Sequence, residues 1–310
     1  MTEVRVQRGL GPTDRDAVLS FLRGVDALDG DTLDDHLQAD LQSTDDSADA
    51  TPFTAAVAHD HSGRVVGYAQ ASLANGGHVV DSVVWPRDTD VSELLREQLL
   101  RSLLAELPSR SSVTWWTHES ARSTDLARSL GLVPGRQLLQ MRRPLPIEHT
   151  TDVVVRPFAP DHDEAEWLAV NNAAFAWHGE QGGWDLHRLH RRERAPWFRP
   201  EGFLLHHVEG RLAGFCWTKL HPAHDHAMVG EIYVIAVHPD FHGRGLGRAL
   251  TLAGLQWLQQ AGATEAMLYV DAANTAAVAM YDHLGFRVAH TNQSYVRTHP
   301  DLGATGGSTA

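Results

Sequence analysis

Apolar and polar positions follow an ordered pattern over the second half of the chain. Residues 230–237 form a β-branched apolar run that ends before a proline, and this run predicts a buried strand. From Leu246 to Trp257, apolar residues recur at spacings of three and four, which predicts one face of a helix that ends near Gly262. The pattern also predicts a strand at 267–270, a short helix at 274–283 and the start of a last strand at 286–288.

The first half of the chain carries similar signals in the same order, about 150 residues earlier. The matching segments are Gly63-Arg64-Val65-Val66-Gly67-Tyr68 with Gly210-Arg211-Leu212-Ala213-Gly214-Phe215, Val84-Trp85-Pro86 with Val237-His238-Pro239, and Leu130-Gly131-Leu132 with Leu284-Gly285-Phe286. Such a repeat predicts a duplicated domain, each copy a mixed α/β (α+β) sheet with a crossover. We therefore expect an N-terminal domain over residues 1–143, a C-terminal domain over residues 152–297 and a disordered tail over residues 298–310.

The composition excludes several classes of protein. Apolar residues make up 43% of the 310 residues, and the charged fraction of 21% is too moderate for a disordered polyelectrolyte. A formal net charge of −13 argues against a nucleic-acid partner. Cys216 is the single cysteine, so neither an internal disulfide nor a cysteine zinc cluster is predicted. The chain shows no apolar run of membrane-spanning length and no signal core at its start, so we expect a cytoplasmic monomer without membrane association.

A glycine-rich bend links the predicted strand at 230–237 to the long helix. The bend reads His242-Gly243-Arg244-Gly245-Leu246-Gly247-Arg248, and its glycines allow the backbone to turn sharply and approach a ligand closely. The exposed amides and partial positive charge of a helix start suit a phosphate group. The bend matches neither the P-loop pattern nor the Rossmann pattern. A tight turn that binds no ligand is the alternative interpretation.

The bend and its neighbouring elements resemble the GNAT superfamily of N-acetyltransferases. The resemblance rests on Val237-His238-Pro239, Gly245-Leu246-Gly247, Asn274 with Ala277 and Tyr281, and Leu284-Gly285-Phe286. It implies that acetyl-CoA is the donor, that the loop amides hold its pyrophosphate, and that the preceding strand splays from its neighbour to pair with the pantetheine. His242 departs from the family, which usually has Gln or Arg there. The acetyl-CoA contacts implied by the resemblance are Ile235, Ala236, Val237, His242, Gly243, Arg244, Gly245, Leu246, Gly247, Arg248, Asn274, Ala276, Ala277 and Val278.

Further segments resemble one GNAT family, the mycothiol synthases. These segments are Gln140-Met141-Arg142-Arg143-Pro144-Leu145, Asn171-Asn172-Ala173-Ala174-Phe175, Glu180-Gln181-Gly182-Gly183-Trp184, Trp217-Thr218-Lys219-Leu220-His221-Pro222 and Gly230-Glu231-Ile232-Tyr233-Val234. Because members of this family are tandem GNAT proteins, the resemblance covers nearly the whole chain and accounts for the repeat. It implies transfer of acetyl from acetyl-CoA to the cysteinyl amine of Cys-GlcN-Ins, a small thiol-bearing sugar, without a metal.

Acetyl transfer to an amine needs a base for the incoming ammonium and an acid for the departing thiolate. Glu231 is the candidate base, because a carboxylate inside the apolar run would be costly if it were merely buried. A solvated carboxylate at the strand end is the alternative. Tyr281 is the candidate acid, and a core tyrosine with its hydroxyl at the rim is the alternative. The resemblance implies the catalytic role for both residues.

Candidates for binding the acceptor come mainly from the resemblance. Lys219 stands out by itself, as the only lysine among 26 basic residues, which suggests a need for a compact ammonium; a neutral accident is the alternative. The resemblance implies that Lys219, Glu180, Glu231 and Tyr269 contact the sugar substrate. Asp35 aligns loosely with an N-terminal acid of the family that reaches the same substrate, and Asp34 competes for that place.

The N-terminal unit lacks the glycine bend. After Val84-Trp85-Pro86 it carries three carboxylates, Asp88, Asp90 and Glu93, around the start of a predicted helix. Carboxylates beside a helix start would repel a pyrophosphate rather than hold it. We therefore expect this domain to keep the fold, to be non-catalytic, and to have lost or weakened CoA binding.

Two further clusters have an ambiguous sequence signal. Histidines at 187 and 190, and three more within residues 221–226, have spacings that suit a metal, but the chain has 20 histidines and chance clustering is the better explanation. The arginine-rich segment 187–199 predicts either a solvated helix face or a flap that contacts the phosphates of CoA.

Two other functions fit the same fold. The acceptor could be another small amine or a peptide N-terminus, and a non-catalytic acyl-CoA sensor would keep the fold and the cofactor. The presence of both Glu231 and Tyr281 argues against the sensor, because binding alone needs neither residue.

Overall fold

The computed structural model describes residues 2–29, 35–42, 53–74, 77–86, 89–176, 181–222 and 228–297. The chain packs into two compact units. The first unit contains residues 1–137 and the segment that starts at Asn292, and the second unit contains residues 138–291. Each unit has two hydrophobic clusters of buried side chains.

The described residues of the first half form six strands and four helices. The strands are β1 (Glu3–Arg8), β2 (Thr54–His59), β3 (Val65–Ala74), β4 (Gly77–Val84), β5 (Ser112–His118) and β6 (Val133–Pro144). The helices are α1 (Pro12–Asp29), α2 (Asp35–Gln42), α3 (Asp90–Glu106) and α4 (Ala121–Ser129).

The second half supplies the same kinds of element in a similar order. The strands are β7 (Arg156–Pro157), β8 (Phe203–Val208), β9 (Arg211–Pro222), β10 (Met228–Val237), β11 (Ala263–Asp271) and β12 (Arg287–Arg297). The helices are α5 (Glu164–Ala174), α6 (Leu186–Glu193), α7 (Leu246–Gln260) and α8 (Thr275–His283). The predicted strands at 230–237 and 267–270, the helix ending near Gly262, the helix at 274–283 and the last strand are confirmed.

The sheet of each unit is mixed. In the first unit, β1, β2, β3 and β4 pair antiparallel in that order, β4 pairs parallel with β5, and β5 pairs antiparallel with residues Asn292–Arg297 of β12. In the second unit, β7, β8, β9 and β10 pair antiparallel in that order, and β10 pairs parallel with β11. Residues Leu138–Pro144 of β6 then pair antiparallel with β11. Each unit therefore has the mixed α/β architecture predicted from the sequence, with one parallel pair near its centre.

Helix α7 shows how the apolar pattern becomes a core. Its buried positions include Leu250, Leu255 and Leu258, which pack in one cluster with side chains of β9, β10 and β11. Removing one such large side chain from a core costs about 2–5 kcal/mol of folding free energy. The helix ends where Gly262 adopts a left-handed φ of 94°.

The compact units do not coincide with the two sequence repeats. Leu138–Pro144, at the end of the first repeat, pairs with β11 of the second unit, and Asn292–Arg297, at the end of the second repeat, pairs with β5 of the first unit. The packing boundaries therefore fall at residues 137/138 and 291/292 instead of 143 and 297. The cause is the exchange of final strands, which the order of elements in the sequence does not reveal.

None of the helices in the described ranges is long and apolar enough to cross a membrane. The predicted disordered tail, residues 298–310, lies outside the described residues.

Candidate active site

The parallel pair of the second unit separates along its length. The pairing of β10 with β11 runs from Met228 to Ile232, whose partner is Leu268. Strand β10 then continues to Val237 and β11 to Asp271, each paired only with its outer neighbour among the described residues. Backbone amides and carbonyls that lack a sheet partner are suited to bind an extended ligand. The predicted contact residues Ile235, Ala236 and Val237 lie in the stretch of β10 that pairs with β9 but no longer with β11.

A β-bulge marks the point where the strands separate. Ile232 pairs with Thr218 and Val234 with Trp217, so Tyr233 is an additional residue on β10. Bulges redirect side chains and backbone groups, and they are common beside active sites. The additional residue reverses the alternation of side chains along β10. This change occurs at the position where the pairing with β11 ends.

The glycine-rich bend follows β10 directly. Gly243 and Gly245 adopt left-handed φ values of 76° and 74°, and a Cβ added at either position would meet nothing within 4 Å. Helix α7 begins after Gly245, and no side chain in the described part of the chain caps its first amides. His242 Nε2 lies 2.9 Å from the carbonyl oxygen of Val237, so this side chain fastens the bend to the end of the strand.

This arrangement fits a diphosphate. Uncapped amides at a helix start carry partial positive charge, and an anion can take the place of the missing cap. The open space over the two glycines leaves room for an approaching group. Arg244, whose guanidinium lies 5.1 Å from the ring centre of Phe241, and Arg248 in the first turn add positive charge. The residues present therefore fit the phosphate end of a CoA molecule.

Helix α8 also begins near the separated strands. Asn274 caps this helix, because its side-chain oxygen accepts a hydrogen bond of 3.2 Å from the amide of Ala277. Ala276, Ala277 and Val278 form its first turn. The cap gives Asn274 a structural role in the absence of any ligand, in addition to the cofactor contact that the sequence predicts.

Glu231 occupies a buried position on the central strand. Its side chain is 8% exposed, and its Oε2 lies 2.7 Å from Nε2 of His221. On the neighbouring strands its partners are Lys219 of β9 and Met267 of β11. The sequence placed His221 in a histidine cluster and did not connect it with Glu231, because the two residues are neighbours only through the pairing of β9 with β10.

Aromatic rings surround the single lysine. Lys219 is buried, and its Nζ lies 4.9 Å from the ring centre of Trp197 and 5.5 Å from that of Tyr233. Rings at such distances stabilise an ammonium group through cation–π attraction. Because directly paired residues on antiparallel strands project to the same side, the Lys219 ammonium and the Glu231 carboxylate share one face of the sheet.

Tyr269 belongs to the same face and is held from β6. Its hydroxyl accepts a hydrogen bond of 2.7 Å from Nε2 of Gln140, the residue paired with it across the strands. Arg142 donates to Gln140 Oε1 at 2.8 Å and to Glu265 Oε2 at 2.8 Å. Tyr269 is 41% exposed, so this network fixes the orientation of a ring that remains open to solvent. The resemblance drew attention to the segment containing Gln140 and Arg142 but assigned neither residue a role.

Tyr281 lies on the opposite face of the sheet from Glu231. It is 5% exposed and packs in one cluster with Cys216, Leu250 and Phe286. Burial raises the pKa of Tyr281 well above its usual value, and Cys216 adds to the shift. No group in the described part of the chain hydrogen-bonds to its hydroxyl.

Other predicted residues are only partly described. Glu180 and the side chain of Asp35 lie outside the described residues, although Asp35 is the first residue of α2. The arginine-rich segment forms α6, in which Arg192 is buried and the Arg188 guanidinium lies 4.5 Å from the ring centre of Trp184. This helix is therefore not a simple solvated face.

One group of potential metal ligands occurs in the described residues. Glu164, His190 and Glu193 place one ligand atom each within 4.8 Å of one another. Burial, and then the nearby Glu164, raises the pKa of Glu193, which favours its protonated form. In the second histidine cluster considered in the sequence, within residues 221–226, all positions from 223 onward lie outside the described ranges.

A mixed sheet whose central parallel strands separate beside a glycine bend and an uncapped helix defines an acetyl-CoA-dependent N-acetyltransferase of the GNAT class. The sequence model of the acetyltransferase (GNAT) family matches residues 167–286. The chain is 39% identical over 286 residues to the mycothiol acetyltransferase of Acidimicrobium ferrooxidans, covering 88% of this chain and 90% of that protein. The chain therefore belongs to the mycothiol acetyltransferase family, and the predicted resemblance is confirmed.

Solved structures show the same fold over nearly the whole chain. The GCN5-related N-acetyltransferase from Sphaerobacter thermophilus superposes with a TM-score of 0.65 at 21% identity, covering 95% of both chains. A tandem GNAT protein from the clavulanic acid biosynthesis pathway superposes with a TM-score of 0.64 at 18% identity, covering 99% of this chain and 100% of its own. The predicted fold of two tandem GNAT units is confirmed.

Proposed function

We propose that this enzyme transfers the acetyl group of acetyl-CoA to the cysteinyl amine of Cys-GlcN-Ins and so forms mycothiol. The observation that carries the proposal is the set of polar side chains on one face of the second unit, where the Glu231 carboxylate, the Lys219 ammonium and the Tyr269 phenol lie beside the separated strands. A carboxylate suits a cationic amine, and the other groups suit a polyhydroxyl acceptor. The name of the relatives supports the same acceptor.

Glu231 is the base of the proposed reaction. It accepts a proton from the acceptor's ammonium, directly or through one water molecule, and the resulting amine attacks the thioester carbonyl carbon. Its buried position on a central strand keeps the carboxylate in a fixed place and away from bulk water. We expect backbone amides within residues 235–237, where β10 no longer pairs with β11, to orient the thioester and to stabilise the developing oxyanion.

Tyr281 is the acid of the proposed reaction. When the carbon–sulfur bond breaks, the phenol donates its proton to the departing thiolate, and the attacking nitrogen loses its second proton as the amide forms. That second proton restores the phenol, and Glu231 releases the first proton to solvent, so the products are the amide, the CoA thiol and one free proton. Burial raises the pKa of Tyr281, which keeps the phenol protonated at neutral pH until the thiolate forms. A thioester held in the gap between β10 and β11 would have Glu231 on one side and Tyr281 on the other.

Mass spectrometry of the reaction product tests this proposal. The protein is incubated with acetyl-CoA and Cys-GlcN-Ins, and we expect a mass increase of one acetyl group that survives hydroxylamine treatment, because hydroxylamine removes acetyl from sulfur but not from an amide nitrogen. GlcN-Ins, which lacks the cysteinyl group, serves as the control acceptor and should remain unmodified. Acetylation of other small amines or a peptide N-terminus without acetylation of Cys-GlcN-Ins would contradict the proposed acceptor.

A further inference from the structure

The buried carboxylate of Glu231 has one hydrogen-bonding side chain in the described part of the chain, and that is His221. The two side chains meet at 2.7 Å between His221 Nε2 and Glu231 Oε2. The Glu231 side chain is 8% exposed and that of His221 is 31% exposed. The other carboxylate oxygen, Oε1, has no protein partner among the described residues, and it is not enclosed completely. One oxygen is therefore held by the protein, while the other has no hydrogen-bonding partner among the described residues.

Two central strands fix this pair. In the register of β9 with β10, Lys219 is opposite Glu231 and His221 is opposite Val229. His221 is thus the diagonal neighbour of Glu231, and its spacing of two from Lys219 places both side chains on the face that Glu231 occupies. Groups carried by strands are held more rigidly than groups carried by loops.

The chemistry of the two side chains determines which of them donates the hydrogen bond. A base acts in its ionised form, and an ionised carboxylate only accepts hydrogen bonds; in that form of the pair, His221 Nε2 donates to Glu231 Oε2. Without His221, the Glu231 carboxylate would lose the one side-chain hydrogen bond that the described residues give it. The bond from His221 therefore restricts rotation of the Glu231 carboxylate and leaves Oε1 as the oxygen that no described residue holds.

We propose that His221 is a positioning residue for the base Glu231. It holds the carboxylate in the orientation in which Oε1 receives the proton of the acceptor's ammonium. This inference rests on the proposed function, because it concerns the residue proposed as the base of that reaction.

Two substitutions of His221 separate positioning from packing. In H221L the hydrogen-bond donor is lost, and we expect kcat to fall about 30-fold with little change in the KM for acetyl-CoA. In H221Q the side-chain amide can still donate, and we expect kcat within about 3-fold of the wild type. An unchanged kcat in H221L, or an equal loss in H221L and H221Q, would overturn the proposal.

A double-mutant cycle with E231Q shows whether His221 acts through Glu231. If it does, adding H221L to E231Q should change kcat less than about 2-fold, because the group that His221 positions is already lost. Losses that multiply fully in the double variant would show that His221 acts independently, and would overturn the proposal.

A second histidine–glutamate pair provides a matched control. His207 Nε2 lies 3.1 Å from Glu166 Oε2, on strand β8 and helix α5 of the same unit. We expect H207L to leave kcat within about 2-fold of the wild type, because that pair touches none of the proposed reacting groups. A loss of kcat in H207L equal to that in H221L would attribute the effect to general packing and overturn the proposal.

Thermal unfolding separates a failure of this inference from a failure of the proposed function. H221L should lower Tm in the wild-type background and lower it less in the E231Q background, because a buried carboxylate left without its donor costs more than a buried neutral amide left without one. Equal losses of Tm in both backgrounds would overturn the pairing. If the wild-type protein acetylates no Cys-GlcN-Ins, the proposed function fails, while the Tm cycle still reports whether the two side chains interact.

Discussion

The two units share one backbone feature and differ in the chemistry placed on it. In the first unit, β4 pairs with β5 from Gly77 to Val80 and then continues to Val84. In the second unit, β10 pairs with β11 only to Ile232 and continues to Val237. Both parallel pairs therefore separate before their strands end. A gap between strands is a property of the fold, and by itself it does not define an active site.

The helix starts next to these gaps are different. Helix α3 begins with a capping box, in which Thr89 Oγ1 accepts from the Ser92 amide at 3.1 Å and Ser92 Oγ accepts from the Thr89 amide at 2.9 Å. Asp90 and Glu93 add negative charge to its first turn. The side-chain cap occupies amides that are uncapped after Gly245 in α7, and the carboxylates oppose an anion.

The side chains around the gaps also differ. By register, the positions of Lys219 and Glu231 correspond to Ser72 and Val79 in the first unit. Tyr281 corresponds to Ala127, since each lies three residues before the leucine that caps its helix. We therefore propose that the first unit keeps the fold without binding acetyl-CoA, and that the ionisable groups together with the open helix start make the second unit a catalyst.

The largest expected effect comes from replacing a glycine of the glycine-rich bend by a β-branched residue. Gly245 has a φ of 74°, a conformation that β-branched residues adopt only with strain. We expect G245V to abolish measurable binding of acetyl-CoA in isothermal titration calorimetry, and acetylation with it. Acetyl-CoA affinity equal to that of the wild type would show that the bend does not hold the diphosphate.

Gly210 provides the matched control for this substitution. It has a φ of 78° with open space around it, and it lies in the turn between β8 and β9. G210V should cost about 1–3 kcal/mol of folding free energy from backbone strain and leave acetyl-CoA affinity unchanged. Loss of binding in both variants would indicate a general disturbance of the unit.

Replacing Tyr281, whose counterpart in the first unit is Ala127, should have the next largest effect. We expect Y281F to lower kcat about 10²–10⁴-fold with little change in acetyl-CoA affinity. Because burial raises the pKa of Tyr281, kcat of the wild type should not fall as the pH passes about 10, where an ordinary tyrosine ionises. A loss near that pH in the wild type that is missing in Y281F would contradict the raised pKa.

Tyr295 controls for the removal of a buried hydroxyl. Its hydroxyl lies 2.8 Å from Thr124 Oγ1 in the first unit, and its ring packs beside Trp115. Y295F should cost about 1 kcal/mol of stability and leave kcat unchanged. A large fall of kcat in Y295F would mean that the effect of Y281F is not specific to the proposed acid.

The smallest expected effect comes from removing the side-chain cap of helix α3. Removing the Thr89 cap in T89A should lower stability by about 1 kcal/mol without altering the affinity or the stoichiometry of acetyl-CoA. Calorimetry of the wild type should give one molecule bound per chain. A second bound molecule that T89A weakens would show that the first unit retains a cofactor site.

Much of the site was predictable because its signals are local. The glycines at 243 and 245, the carboxylate inside the apolar run at 230–237 and the tyrosine of the short helix can each be recognised from a few neighbouring residues. His221, Gln140 and Arg142 could not be assigned roles in this way. They contact Glu231, Tyr269 and Glu265 through pairing of strands, and in two of these contacts the residues are separated by more than 120 positions.

Two levels of information therefore define this protein. The amino-acid sequence determined the order of helices and strands, the repeat and the class of chemistry, because hydrophobic periodicity and turn residues act over short stretches of chain. Only the tertiary structure decided which unit each final strand joins, which side chain holds the buried carboxylate, and which helix start remains uncapped. Those outcomes depend on strand register and on packing between distant segments, where many pairings satisfy the same local pattern.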